Sequence, residues 1–227
     1  YWFNLLFCTL VAIWVFDQNI NWWRLISGLF FVNSYHYSSF FPAELNGPLW
    51  SIGLEVSCYV LLPVVLLLIT KSTKRVPVAF AGIIGVIFVL QILNPWIINS
   101  FMTSNKGKGW QYGLTGGAKQ WLPYWNIDTF FTQFLCGSLA ALIIVTLRAR
   151  GILKSSSFDL SAVVFAIAAI WLVALQLEPG APNSFTKQPY MAPFFAILMA
   201  GVIVSASLST QVYKFLDNKL FQWIAKV

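Results

Sequence analysis

Three side chains in one apolar stretch have the types and spacing to do chemistry: Ser51, Glu55 and Tyr59 of "NGPLWSIGLEVSCYVLLPVVLLLIT", residues 46–70. At four-residue intervals they share one face of a helix, a narrow polar stripe beside Ile52 and Cys58, with Trp50 at its start. A carboxylate so placed can handle a proton, orient an imidazole as a base, or fix packing by hydrogen bonding to a neighbouring helix. The residues alone leave those readings open. An acid within a membrane span costs on the order of 2.5–3.5 kcal/mol on insertion scales, so the stripe must face protein or water. Pro48 after Asn46-Gly47 suits the first turn of a helix, where its missing N–H would have no partner, and this puts Glu55 about 10 Å along the axis.

Other candidates are weaker. His36, the only histidine, lies in the loop "NSYHYSS" at the membrane edge, within reach of an outer vestibule; it is a substrate-binding candidate rather than the expected base. Asp128, with Thr129 and Gln133 on its helical side, reads as a helix N-cap. Cys8, Cys58 and Cys136 sit singly in apolar runs, without CxxC or Cys/His spacing, and read as small buried hydrophobes; no metal site is predicted. "GKGWQYGLTGGAK" is glycine-rich but lacks the spacing and the Lys-Ser/Thr ending of a P-loop.

The elements that must position the stripe follow from composition. Of 227 residues 59% are hydrophobic, 17% aromatic and only 9% charged, far below the roughly one quarter charged of soluble domains. The chain belongs in lipid. Apolar runs at Tyr1–Phe16, Pro48–Thr70, Val76–Leu93, Phe130–Leu147, Leu160–Leu177 and Met191–Leu208 approach the ~20 residues that cross a bilayer, and none shows two-residue alternation. The fold class is therefore all-α: one polytopic transmembrane helix bundle of about six spanning helices in a multi-pass cell-membrane protein. Trp23–Phe31, nine residues including Arg24, reads as interfacial or re-entrant.

The formal charge of +7 is spread through short loops, a pattern that sets membrane orientation and argues against nucleic acid as a partner. Lys71, Lys74, Arg75, Arg148, Arg150, Lys154, Lys214, Lys219 and Lys226 fall on one side, against Arg24, Lys106, Lys108, Lys119 and Lys187 on the other. The first side is expected to be cytoplasmic, which makes 17–47 and 94–129 extracytoplasmic loops and puts Glu55 below the outer surface. Both loops are rich in Trp and Tyr, as an anchoring belt would be, and 94–129 is long enough to be functional. The closing "TQVYKFLDNKLFQWIAKV" is expected to lie along the cytoplasmic surface, and the start at Tyr1 reads as a cut inside a longer protein.

"PLWSIGLEVSCYVLLPVVLLL" resembles the "PLWSLSVEWQFYLLLPLLLLL" signature of the acyltransferase-3 family of polytopic membrane O-acyltransferases, with Pro48, Leu49, Trp50, Ser51, Glu55, Tyr59 and Pro63 in matching places. "FFTQFLCGSLAALII" is similar to that family's "FLLGVLLALL" helix, and "LFQWIAKV" to the lead-in of its last two helices. The resemblance implies transfer of an acyl group, most often acetyl, from a cytoplasmic acyl-CoA to a hydroxyl of a cell-surface or exported glycan, with no bound cofactor. It implies Glu55 as a catalytic residue, with Trp50, Ser51 and Tyr59 lining the cavity. The family's Arg-x10-His helix and Arg-x-x-Arg loop would fall ahead of Tyr1, so the chain corresponds to the third to eighth of ten helices, and alone it would be inactive. Gly53 and Cys58 depart from the commoner spelling. The competing class is a permease or lipid-linked glycan flippase with Glu55 as its proton-coupling site.

Overall fold

The computed structural model describes residues 1–17, 19, 22–35, 39, 42, 49–73, 75–101, 127–152, 154–177 and 192–224. In chain order the described helices are α1 (Trp2–Phe16), α2 (Trp22–Leu29), a 3-10 turn (Asn33–Tyr35), α3 (Leu49–Ser72), α4 (Val76–Phe101), α5 (Ile127–Ala149), α6 (Ser156–Leu177), α7 (Ala192–Leu208), α8 (Gln211–Leu216) and α9 (Lys219–Ile224). No strand occurs among the described residues.

Each expected span coincides with a helix, but among the described residues four rather than six are long and apolar enough to cross a membrane: Leu49–Ser72, Val76–Asn94, Ile127–Ala149 and Ser156–Leu175. The apolar helices Trp2–Phe16 and Pro193–Leu208 are in the right places and shorter, at about 1.5 Å of rise per residue, than the ~30 Å hydrocarbon core. The chain is a multi-pass membrane protein. Its exposed large hydrophobics, from Trp14 and Val60 to Phe88 and Trp171, are the side chains that meet lipid.

Lipid tails are as apolar as leucine, so what joins these helices is close packing more than removal of surface from water. Small residues do that work between α6 and α7, where Ala162, Ala169, Ala196 and Ala206 are buried and Gly201 lies under the Phe165 ring. α5 is the central helix, with 28% of its span buried against 11% in α4. It packs on α3, α4 and α7. Cys58 of α3, Ile83 of α4, and Phe131 and Leu135 of α5 form the buried core between the first three. A cavity of about 480 Å3 separates α4 from α7, lined by apolar side chains including Phe80, Ile87, Cys136, Phe165 and Val204.

Helix ends follow local chemistry. α5 closes with Gly151 at φ 73°, the Ile152 amide donating to Leu147 O at 3.1 Å and the Gly151 amide to Arg148 O at 3.0 Å, a Schellman closure that glycine permits without strain. α2 closes the same way through Phe31 at φ 59°, a backbone conformation costing a side-chain-bearing residue about 1–2 kcal/mol. Its ring rests 4.8 Å from that of Tyr1 and 5.8 Å from that of Trp2, which helps hold it there. α2 has eight residues, too few to span, and it packs against α1 through Leu25 and Leu29. Arg24, counted among the loop charges, is buried in that helix.

The closing stretch forms two short helices, broken at Asp217-Asn218. Asp159, in the first turn of α6, receives the amides of Thr210, Gln211 and Val212 (3.3, 2.8 and 3.0 Å) and the Thr210 hydroxyl (2.5 Å), which ties the start of α8 to α6. Lys154 sits over the Tyr213 ring, 2.8 Å from its centroid.

Candidate functional site

Trp50, Ser51, Glu55 and Tyr59 all lie on the first three turns of α3, which is helical from Leu49 on. The side of α3 they present is settled by two ring contacts and one core residue. Trp50 meets Phe130 of α5 edge-on at 6.0 Å, and Tyr59 meets Phe134 of α5 edge-on at 5.5 Å. Cys58 is buried against Phe131 and Leu135 of the same helix. Glu55 lies one turn before Cys58 and Tyr59 and angularly between them, so it turns toward α5. It is half-buried, and among the described residues it has no hydrogen-bond or ion-pair partner. Tyr59 is the most open of the set, 58% exposed.

The opposite side of α3 is clamped. A Cβ at Gly53 would run into Asn33 Oδ1 and would stand 3.3 Å from Phe31 O. The Ser57 hydroxyl donates to Gly53 O at 2.8 Å and approaches Phe31 O at 3.5 Å. Asn33 and Ser34 are buried there. Burial pushes the nearby Tyr35 phenol above its ordinary range, and hydrogen bonding with Ser57 offsets part of that. Gly53, a visible departure from the family's usual spelling, is therefore explained by a turn that presses directly on the helix backbone.

His36, Pro48, Asn46 and residues 102–126 lie outside the described residues. Cys8, Cys58 and Cys136 are buried free thiols, as their isolated positions imply. Among the described residues no group of three or more His, Cys, Asp or Glu side chains is placed to hold a metal.

Asp128 departs from its expected role. It is the second residue of α5 rather than the residue before the helix, 4% exposed, and only its own amide and that of Thr129 turn toward its carboxylate. The Thr132 hydroxyl donates to Asp128 O at 2.9 Å and accepts from the Gln91 side-chain amide of α4 at 3.3 Å. Asn94, one turn further along α4, is buried as well. The partner on α5 is thus Thr132, while Gln133, the neighbour expected from sequence, is exposed. The available signal was the pairing of Gln91 with Asn94 at helical spacing inside an otherwise apolar run.

Comparison with known proteins gives this geometry a family. The family model described as an acyltransferase domain, of the acyltransferase-3 type, matches residues 1–227. The chain belongs to the acyltransferase-3 family. No curated protein and no solved structure matches it. In this membrane-embedded acyltransferase-3 chain, the stripe of α3 is one of two places where polar side chains meet the helix bundle among the described residues, the other being Gln91, Asn94, Asp128 and Thr132 on α4 and α5. The arrangement of an ionisable acid between two aromatic contacts can hold a charge or orient a base away from acyl tails.

Proposed function

We propose that this chain is the membrane-embedded part of an O-acyltransferase that moves an acyl group, most simply acetyl, from a cytoplasmic acyl-CoA to a hydroxyl of a cell-surface or exported glycan. The observation that carries this reading is Glu55: a carboxylate in a family-matched segment, turned toward α5 and half-buried, without a partner among the described residues. In the transfer, the acceptor oxygen attacks the thioester carbonyl and gives up its proton to an imidazole base. The carbon–sulfur bond breaks, and the CoA sulfur leaves and takes a proton. Glu55 orients the imidazole and stabilises its charged form, as carboxylates do beside catalytic histidines. Trp50, Ser51, Tyr59 and His36 bind the acceptor on this reading, and the basic residues at the opposite ends of the helices, Lys71, Arg75 and Arg148 among them, attract the donor's phosphates.

The test is transfer of label from radioactive acetyl-CoA to surface polysaccharide in membranes carrying the full-length protein. General acid–base assistance is worth about 10²–10⁴-fold, so Glu55→Gln should lower kcat by that factor while the protein remains in the membrane. Polysaccharide export without acetyl-CoA consumption would replace this reading with a transporter.

A further inference from the structure

α4, α5, α7 and α6 stand in an arc. α4 packs on α5, α5 on α7 and α7 on α6, while α4 and α6 share no seam among the described residues. The cavity of about 480 Å3 is the hollow of that arc. Its wall is apolar from Phe80, Ile84 and Ile87 on α4 to Ile143, Phe165 and Val204 on the other three helices, and among the described residues only Ser205 adds a hydroxyl. Ordered water needs two or more polar partners, which such a wall does not offer, and an empty hollow would forfeit dispersion contacts on every side. An engineered void of about 150 Å3 lined in this way takes up benzene. This one is larger and lies among membrane-spanning helices, so the medium at its open side is lipid tails.

Its dimensions suit such a tail. The lining runs from Phe80 to Ile87 on α4 and from Ile197 to Ser205 on α7, about 10–12 Å at ~1.5 Å per residue, most of the depth of one leaflet. At roughly 1.2 Å per bond of an extended chain, that length takes about nine methylenes. A hydrocarbon chain gains little by leaving one apolar medium for another, so selectivity must come from a headgroup. The basic end of the bundle supplies it. Arg150 continues the row of Cys136 and Ile143 at seven-residue spacing, along the face of α5 that borders the hollow, and its amide still donates to Thr146 O at 3.1 Å as in a helix. It is exposed, with no hydrogen bond or ion pair of its side chain among the described residues. The acids of that end are engaged elsewhere, Asp159 with the start of α8 and Asp217 with Gln222. α4 begins at the same end, and the dipole of a helix start also favours an anion.

We propose that the hollow between α4 and α7 seats one tail of an anionic phospholipid whose phosphate lies at Arg150. The geometry disfavours the acyl donor as the occupant. Trp50 on Phe130 and Tyr59 on Phe134 set Glu55 level with about Thr132, and a donor tail in the hollow would leave its thioester at the basic end, beyond Ile143 and at least about 16 Å away along α5. The seat therefore belongs to a lipid that is kept rather than consumed, and it stands whether or not the acyl-transfer reading does. A fluid chain yields when the Phe165 ring moves.

The test is photocrosslinking in phosphatidylcholine vesicles holding the full-length protein. They carry a trace of either phosphatidylglycerol or phosphatidylcholine with a diazirine at mid-chain, and labelled residues are identified by mass spectrometry. Crosslinks are expected within 136–143 and 197–205, and they are normalised to those at the exposed, lipid-facing Phe88 and Trp171. The normalised yield should be about fivefold higher for phosphatidylglycerol, the worth of one basic side chain at an anionic headgroup. Arg150→Gln, at an exposed turn, should keep the crosslinks and abolish that preference, and added palmitoyl-CoA should leave the wild-type crosslinks unchanged. Absence of crosslinks in the hollow, which would mean that protein fills it, overturns the inference. So do equal yields from the two lipids in the wild type, a preference that survives Arg150→Gln, or displacement by palmitoyl-CoA.

Discussion

Replacing Gly53 by alanine tests the clamp that sets α3 in place. The added Cβ meets Asn33 Oδ1 at a forbidden distance and stands 3.3 Å from both Asn33 Cγ and Phe31 O. Asn33 is 0% exposed and Phe31 O is backbone, so neither obstacle can swing aside. Overpacking of this kind costs about 1–3 kcal/mol, and alanine in a helix returns about 1 kcal/mol relative to glycine. With obstacles this fixed, the net loss falls near 1–2 kcal/mol, or a Tm lowered by about 2–8 °C in a chain of this size. Two other glycines calibrate the estimate. At Gly201 the Cβ would meet the Phe165 ring at 2.8 Å, but that ring borders the 480 Å3 cavity and has room to move, so Gly201→Ala should leave Tm within about 2 °C. At Gly137 nothing lies within 4 Å among the described residues, and Gly137→Ala should raise Tm by up to about 4 °C. Thermal unfolding in detergent is read with a maleimide dye that fluoresces on reaching Cys8, Cys58 and Cys136, all buried in the folded chain. A Gly53→Ala protein that melts at or above wild type would refute the reasoning.

Phe31, at φ 59°, carries backbone strain that only glycine would relieve, so Phe31→Gly should be more stable than Phe31→Ala by about 1 kcal/mol in the same melting assay, although both lose the contacts to Tyr1 and Trp2. Equal melting of the two variants would show that the left-handed turn is not under strain. Hydrogen bonds from Gln222, whose amide donates at 2.9 Å, and from Tyr213 hold the exposed Asp217 carboxyl below its ordinary range. A depressed carboxylate pKa stabilises the fold above the unfolded value, and that contribution disappears as pH falls through the folded one. Amide exchange in 219–224, corrected for intrinsic rates, should therefore gain protection between pH about 3 and about 6 in wild type but not in Asp217→Asn.

The architecture was legible where length and composition decide it. Twenty or so apolar residues bounded by Lys71 and Arg75, or by Arg148 and Arg150, permit little except a membrane helix, and the observed helices begin and end within a few residues of those limits. Six crossings were expected and four are shown among the described residues, because the apolar helices Trp2–Phe16 and Pro193–Leu208 are described over fewer residues than a crossing takes. The stripe of Ser51, Glu55 and Tyr59 was legible because helical period alone puts the three on one face, and the contacts of Trp50, Cys58 and Tyr59 then show which neighbour that face meets. Tertiary placement was not legible. Asp128 looked like a cap because Asp commonly caps, and its burial comes with the docking of α4 on α5, where Gln91 meets Thr132 across 41 residues of chain that no local pattern encodes. Gly53 looked like a loss of family character, and its reason lies twenty residues upstream in Asn33.

The void between α4 and α7 has a mechanical meaning. Close-packed helices move only as a block, since any rotation forces atoms together. Where Phe165 and Val204 border open volume, α7 can turn slightly against α4 while its seam of small residues with α6 holds. The bundle is thus stiff along one wall and compliant along the other, and a rearrangement accompanying catalysis would find its easiest path through the compliant wall.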